Sequence, residues 1–226
     1  VPGSWTARRQ SRQRIIDDMV GELETVFAKR SMPEWTGPHR SGRLDMQRLM
    51  QSRLEFRATG RRNPKVFKQR RDPTERSTDV VICIDTSTSM LEGYKAEGAA
   101  DALVVLVEAL RQRNINVGVL GFSTEVSLIK DLHQEDFDRT AKDEAMAQLK
   151  PDGGTDDVVA LAAAREMVQQ GTADQSIVLF LSDGEGNEEM RQAVEHTESE
   201  LAVPVIGVGL GAGCEDVVTS YVHSLQ

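Results

Sequence analysis

The stretch DVVICIDTSTSM, from Asp79 to Met90, constrains the fold of this 226-residue chain more than any other feature. Its first part, residues 80–84, is an apolar and largely β-branched run, which predicts a buried strand. An acid and four hydroxyl side chains follow without a break: Asp85, Thr86, Ser87, Thr88 and Ser89. These groups are poor core material, because burying them without hydrogen-bond partners costs free energy. We therefore expect the strand to end where a set of oxygen atoms has a use.

After residue 78 the sequence alternates between strand and helix patterns. Apolar runs predict strands over residues 80–85, 115–123, 125–132, 176–183 and 203–211, with the second and third forming a hairpin. Helical spacing of apolar residues predicts helices over residues 93–113, 135–150, 156–170 and 188–201. Nearly continuous apolar strands separated by helices indicate a doubly wound α/β domain, whose mainly parallel sheet carries helices on both faces.

The first 78 residues follow a different pattern and predict a small, helical N-terminal extension to a main domain at residues 79–226. Residues 11–30 have the apolar spacing of an amphipathic helix, and residues 44–54 that of a shorter one. Between them lies a turn-rich gap, SMPEWTGPHRSG. The segment KVFKQR is a possible edge strand before a polar joint at residues 71–78.

Charge divides the chain at the same boundary. Residues 1–78 hold 18 Lys and Arg against 9 Asp and Glu, whereas residues 79–226 hold 9 against 27. We expect the basic extension to lie against the acidic domain. Nucleic-acid binding is the alternative, but no basic patch interleaved with aromatic residues favours it.

The chain has no apolar run of membrane-spanning length and no signal-peptide core, which favours a cytoplasmic protein that does not enter a membrane.

Three sequence elements predict a common site. In an extended segment alternate side chains point the same way, so Asp85, Ser87 and Ser89 can face one side. Thr155 follows two glycines in PDGGTDD, and Asp183 ends a second buried strand. In such folds ligands bind at the carboxyl ends of the strands. Oxygen ligands of this kind suit Mg²⁺ or Mn²⁺, and two carboxylates balance the charge of a divalent ion. One coordination position is then open to a carboxylate from outside.

The arrangement resembles the von Willebrand factor A domain from about Thr78 to the C-terminus. Its metal-ion-dependent adhesion site consists of D-x-S-x-S, a distant Thr and a later Asp. Asp85, Ser87 and Ser89 match the first element, Thr155 the second and Asp183 the third. The resemblance implies a module that binds proteins through Mg²⁺ or Mn²⁺ and an acidic side chain of the partner. Two departures are that Thr88 stands where the family often has Gly, and that the family's final helix has little sequence left to form it.

The lead-in to the first domain strand narrows the resemblance. SGRLD, an arginine-rich helix and an F-K strand are similar to the corresponding region of the cobaltochelatase subunit and of activators of nitric oxide reductase and Rubisco. Those proteins work beside a MoxR-type AAA+ ATPase. The resemblance implies a non-catalytic subunit or adaptor of such a motor, in metal chelation or metalloenzyme activation. This chain has no G-x-x-x-x-G-K-[ST], so the motor would be a separate protein.

Two other classes of function stay open. Asp85 could accept a phosphoryl group in a Mg²⁺-dependent hydrolase, although such sites ordinarily have a second acid two residues on, where this chain has Ser87. The helix at residues 11–30 could instead join subunits of a structural oligomer.

The remaining candidate side chains are not expected to form a site of their own. The histidines have no metal-ligand spacing, and the cysteines, Cys83 and Cys214, are expected to be small core residues. Acidic residues should form a solvated rim around the site: Asp152, Asp156, Asp157, Glu185, Glu188 and Glu189.

Overall fold

The computed structural model describes residues 3–30, 34–60, 63–71, 77–134, 137–183, 188–210 and 223–225. The chain forms two compact units, one comprising residues 1–21 and 76–226 and the other residues 22–75. Each is described separately below. No helix in the described ranges is both long enough and apolar enough to cross a lipid bilayer.

A six-stranded sheet is the centre of the larger unit. Its strands, in chain order, are β4 (Thr78–Asp85), β5 (Asn116–Phe122), β6 (Val126–Lys130), β7 (Gln175–Ser182), β8 (Val205–Gly209) and β9 (His223–Leu225). Their spatial order is β6-β5-β4-β7-β8-β9. Only β6 runs antiparallel to its neighbour, β5. This mixed and mostly parallel sheet confirms the predicted doubly wound α/β class.

Strand β4 occupies the switch point of the sheet. It pairs in parallel with β5 on one side and with β7 on the other, so the chain leaves it in one direction and later returns beside it. All eight residues of β4 are buried. In this register the last residue of β4, Asp85, lies opposite Phe122, and Ile84 lies opposite Leu181. Crevices at such points are where open α/β sheets bind ligands.

Helices cover both faces of this sheet. The larger unit contains α1 (Trp5–Ser11), α4 (Lys95–Gln112), α5 (Arg139–Gln148), α6 (Asp157–Gln170) and α7 (Glu188–Leu201), and the start of α2 (Gln13–Arg30). On one face Val81 and Cys83 pack in a core with Leu161, Phe180 and Met190, the last two from β7 and α7. Alternate β4 residues face the other way, where α4 contacts β4 and β5. The burial of Cys83 as a free thiol agrees with its prediction as a small core residue.

Helix α1 packs on α4 through Trp5. The indole is 1% exposed, donates through Nε1 to Glu108 Oε1 at 2.7 Å, and meets Phe137 edge to face at 5.3 Å between ring centroids. Arg8 Nη1 and Arg12 Nη2 each lie 2.6 Å from a carboxylate oxygen of Asp101. Two arginines at the start of the basic front therefore pair with an acid of α4, whereas the packing of the whole extension on the main domain stays a prediction.

The smaller unit, residues 22–75, contains the rest of α2, a three-stranded sheet and a further helix. Strand β3 (Phe67–Arg71) lies between β1 (Glu34–His39) and β2 (Arg43–Leu44), antiparallel to both. Helix α3 (Met46–Thr59) begins at Asp45, whose carboxylate accepts from the Gln47 and Arg48 amides. It ends at Gly60, in the left-handed conformation at φ 68°.

Most of the predicted elements are confirmed, and three predictions are wrong. The turn-rich gap at residues 31–42 contains β1, whose register shifts where Gly37 and Pro38 interrupt the pairing. The predicted edge strand is β3, which has a partner on each side. The predicted last strand is followed by β9. Sequence reasoning also missed α1. The predictions for Cys214, for Glu185 and for a final helix after β8 concern residues outside the described ranges, apart from the three residues of β9.

Candidate metal site at the end of β4

Asp85 is fixed at the carboxyl end of β4. The residue is 2% exposed. Its Oδ1 accepts from the Ser87 amide at 2.7 Å, and its Oδ2 accepts from Ser182 Oγ, at the end of β7, at 2.8 Å. A carboxylate oxygen has two lone pairs, so each oxygen can accept again after these bonds are made. Asp85 is thus oriented by both strands and keeps capacity for a cation.

The four hydroxyls after Asp85 divide into two alternating pairs. Thr86 donates through its amide and its Oγ1 to the Phe122 carbonyl, at 2.8 and 2.9 Å. Thr88 likewise donates twice, to the Gly153 carbonyl, at 3.1 and 2.8 Å. Ser87 and Ser89 point the other way, and their Oγ atoms are 2.8 Å apart. The threonines therefore hold the loop in place, while the serines present oxygen atoms to the site.

Asp183 closes this chain of polar groups from β7. Its Oδ1 accepts from Ser89 Oγ at 3.0 Å, and its Oδ2 lies 2.7 Å from Lys95 Nζ, at the first residue of α4. The carboxylate is 1% exposed and the Lys95 side chain 18%. The hydrogen bond to Asp183 raises the pKa of Lys95, so this lysine is protonated and positively charged. Four of the five predicted ligands are thus joined by hydrogen bonds: Asp85, Ser87, Ser89 and Asp183.

Thr155 lies in the loop that approaches this edge, and it is exposed. The loop is held there by its neighbours: the Asp152 amide donates to the Thr86 carbonyl, and Gly153 receives both bonds from Thr88. Gly153 has φ 76°, where a Cβ would come within 3.0 Å of Thr124 Oγ1. The glycine thus permits the close backbone approach predicted from PDGGTDD. Among the described residues no hydrogen bond joins Thr155 Oγ1 to the other four predicted ligands.

The electrostatics of this edge disfavour its own negative charges. Burial raises the pKa of Asp85, and repulsion from Asp183 adds to the effect, although bonds from Ser87 and Ser182 oppose it. Burial also raises the pKa of Asp157, at the start of α6, and Asp85 and Asp156 repel it further. A divalent cation would relieve this repulsion, since an opposite charge favours the ionised carboxylate.

The predicted acidic rim is largely in place. Asp152, Asp156, Glu188 and Glu189 are exposed, and Asp157 is half-buried. Asp156 also caps α6, because its carboxylate accepts from the Val159 amide at 3.2 Å. Within the described ranges no three His, Cys, Asp or Glu side chains come together as a metal cluster. Any metal here would depend on hydroxyl oxygens as well as carboxylates.

The donor set fits a hard divalent ion. It brings together carboxylate and hydroxyl oxygens, which Mg²⁺ and Mn²⁺ prefer, and includes no thiolate or imidazole. Ser87 Oγ lies 2.8 Å from Ser89 Oγ, which lies 3.0 Å from Asp183 Oδ1, so these ligand oxygens are close together. Asp85, Ser87, Ser89 and Asp183 would hold the ion, with Thr155 on the adjoining loop.

Sequence reasoning missed two residues that orient this set. Ser182 stands directly before Asp183 and bonds to Asp85, which its place at a strand end could have indicated. Lys95 left a weaker signal. The helix dipole favours acids over lysines in the first turn of a helix. A lysine at that position therefore indicates that an acidic partner stabilises it.

Comparison with known proteins identifies a matching family for part of this chain. Residues 80–185 match the family model of the von Willebrand factor type A domain. Midasin of Dictyostelium discoideum is 22% identical over 148 residues, which are 65% of this chain but 2% of that protein. The chain thus spans a very small part of the curated relative it matches.

Solved structures show the same fold. The PilB minor pilin from Streptococcus sanguinis superposes with a TM-score of 0.52 at 16% identity, covering 70% of this chain and 59% of the pilin. Its D319A mutant gives a TM-score of 0.53, with coverage of 68% and 57%. At this identity the likeness concerns the fold alone. Domains of the matched family mediate protein interactions and often bind a divalent metal in doing so. The larger unit therefore has the Rossmann-like fold of the von Willebrand factor type A domain.

Proposed function

We propose that this chain is a metal-dependent protein-interaction module. Asp85, Ser87, Ser89, Thr155 and Asp183 hold Mg²⁺ or Mn²⁺, and a carboxylate from a protein partner completes the coordination. The observation that carries the proposal is the continuous chain of hydrogen bonds that joins Ser182, Asp85, Ser87, Ser89 and Asp183 at the switch point of the sheet. Metal bound there would be a Lewis acid with an outward-facing position for an anionic ligand.

The acidic rim restricts the kind of partner. Exposed carboxylates around the site, including Asp152, Asp156 and Glu188, repel an isolated acid. A partner acid flanked by Lys or Arg would overcome this repulsion, since its basic neighbours would pair with the rim. We therefore propose a partner whose acidic residue lies within a basic surface.

The resemblance of the lead-in segment extends the proposal to an assembly. We place this module beside a MoxR-type AAA+ ATPase, as an adaptor or non-catalytic subunit for metal chelation or metalloenzyme activation. Support comes from SGRLD, at residues 41–45, followed directly by helix α3 and then by strand β3. The ATPase would supply the energy, and this module would select the protein on which it acts.

Calorimetric titration of Mg²⁺ and Mn²⁺ tests the site itself. The wild type should bind one ion, and Asp85→Ala should abolish binding because it removes a ligand at the centre of the set. Asp79→Asn is the matched control, since Asp79 is a buried carboxylate at the opposite end of the same strand. Failure of the wild type to bind either ion, or binding retained by Asp85→Ala, would contradict the proposal.

Phosphoryl transfer through Asp85 is less well supported by the geometry. A nucleophilic carboxylate needs an open line of attack, whereas Asp85 is 2% exposed and both of its oxygens accept hydrogen bonds. Ser87 stands where such hydrolases ordinarily have a second acid. Hydrolysis of a phosphate monoester that depends on both Mg²⁺ and Asp85 would favour the enzyme instead.

A further inference from the structure

Lys95 carries a feature that the proposed metal site does not itself require. Its ammonium lies 2.7 Å from Asp183 Oδ2, while the other oxygen of that carboxylate accepts from Ser89. Asp183 is therefore shared between the chain of hydroxyls and a cation that belongs to the protein. A residue expected to bind a metal already has a positive partner.

The local backbone is arranged to deliver this lysine. Gly93 and Tyr94, the two residues before α4, have φ values of 61° and 62°, in the left-handed region. A tyrosine adopts this conformation only at an energetic cost, because its Cβ crowds the backbone there. The kink ends the short 3₁₀ segment after Ser87 and sets Lys95 as the first residue of α4. There the helix dipole disfavours a cation. The left-handed backbone of Tyr94 and the position of Lys95 at the helix N-terminus are both unfavourable, and both lie where the chain brings Lys95 to Asp183.

We propose that Lys95 is a built-in cation that competes with the divalent ion for Asp183 and so lowers the metal affinity of the site. This inference rests on the proposed function. It also deepens it, because Lys95 neutralises one of the two ligand carboxylates. A divalent ion bound to this set then keeps positive charge that the ligands do not balance, and an acidic side chain of a partner supplies the balance.

The competition predicts a gain of metal affinity when the charge is removed. Lys95→Met should bind Mn²⁺ about tenfold more tightly than the wild type, because it lacks a unit positive charge 2.7 Å from the ligand oxygen Asp183 Oδ2, and charge repulsion at this range is worth at least that much at intermediate dielectric. Lys95→Arg keeps the charge and should stay within about twofold of the wild type on the same grounds. The electron paramagnetic resonance signal of free Mn²⁺ measures the affinity directly.

Lys142→Met is the matched control. Lys142 forms an ion pair of the same length, 2.7 Å to Glu108, and its side chain is equally exposed at 18%. Its removal breaks a comparable ion pair away from the metal edge. It should therefore lower stability and leave Mn²⁺ affinity unchanged. Added Mg²⁺ should raise the thermal unfolding temperature of Lys95→Met by more than it raises that of the wild type or Lys142→Met.

The outcomes separate this inference from the proposed function. If the wild type binds Mn²⁺ and folded Lys95→Met binds it no more tightly, the competition is wrong while the metal site stands. If neither wild type nor variant binds Mn²⁺, the proposed function fails and the inference fails with it. Should Lys95→Met not fold without metal, Lys95→Gln decides between the same results, because it removes the charge and keeps a donor for Asp183.

Discussion

Two groups of carboxylates in this domain differ in the charges that surround them. On α4, Asp101 is paired with Arg8 and Arg12, and Glu108 is paired with Lys142. At the end of β4, Asp85 and Asp183 face hydroxyls, other acids and a single lysine, Lys95. Burial acts against ionisation in both places. Asp101 and Glu108 overcome it with the chain's own cations, whereas Asp85 has no such partner among the described residues.

The pKa directions express this difference. Although burial opposes them, bonds from Arg12 and Arg8 lower the pKa of Asp101, and bonds from Lys142 and Trp5 lower that of Glu108. Burial raises the pKa of Asp85. Carboxylates with lowered pKa values stabilise the fold in their charged form, whereas Asp85 in its charged form destabilises it. Acids of the first kind are structural, and those of the second kind leave a place for a cation from solution.

The largest expected effect concerns the structural group. Trp5→Ala should lower the free energy of unfolding by about 3–5 kcal/mol, because a buried aromatic ring and its hydrogen bond to Glu108 are lost together. Chemical denaturation measures the change. Thr6→Ala, at an exposed position of the same helix, is the control. Superimposable unfolding curves for Trp5→Ala and the wild type would show that α1 is not part of the domain core.

Glu108→Gln should remove about 1–3 kcal/mol, since Lys142 and Arg9 lose a charged partner. The loss should depend on pH. The folded pKa of Glu108 lies below its usual value of 4.5, so its stabilisation is present above that pH and disappears as the pH falls through the folded value. Denaturation at a series of pH values should thus show wild type and variant converging in acid. A constant difference at all pH values would assign the effect to packing.

The loop that carries Thr155 offers a smaller test at the other group. Gly153→Ala should cost about 1–2 kcal/mol, because alanine is strained at this positive φ and its Cβ would crowd Thr124. The same variant should weaken Mg²⁺ binding by displacing the loop. Gly154→Ala is the control, since a Cβ there would make an ordinary contact of 3.4 Å. Equal stability of the two variants would mean that the approach of this loop is not constrained.

Lys130 is a buried cation, whereas Asp85 is a buried anion. Lys130 Nζ donates to the carbonyls of Val117 and Asp131, at 2.6 and 2.9 Å. Burial lowers its pKa to about 8. Above that value the folded protein has released a proton that the unfolded chain still holds, so stability should rise by roughly 1 kcal/mol from pH 8 to pH 9. Lys130→Met should lose this rise, and exposed Lys150→Met should keep it. A rise retained by Lys130→Met would assign it to another group.

Elements defined by local sequence patterns could be predicted, whereas those that depend on contacts between residues far apart in the sequence could not. The buried strands and the helices on the sheet have strong periodic patterns, and the carboxyl ends of β4 and β7 meet in any parallel sheet, which brings Asp85 and Asp183 together. Helix α1 has a single buried aromatic anchor and depends on ion pairs with a helix far along the chain. Strand β9 has three residues, too few for a pattern. Lys95 reaches Asp183 across 88 residues of sequence, which no local spacing encodes.

Unfolding of Asp85→Asn and Asp101→Asn, each with and without Mg²⁺, tests the central contrast most directly. Without the ion, Asp85→Asn should be at least as stable as the wild type, because it removes a destabilising charge, and Mg²⁺ should stabilise it no further. Asp101→Asn should be less stable but should gain from Mg²⁺ as much as the wild type does. Stabilisation of Asp85→Asn by Mg²⁺, or loss of the Mg²⁺ response in Asp101→Asn, would contradict the assignment of the metal to the end of β4.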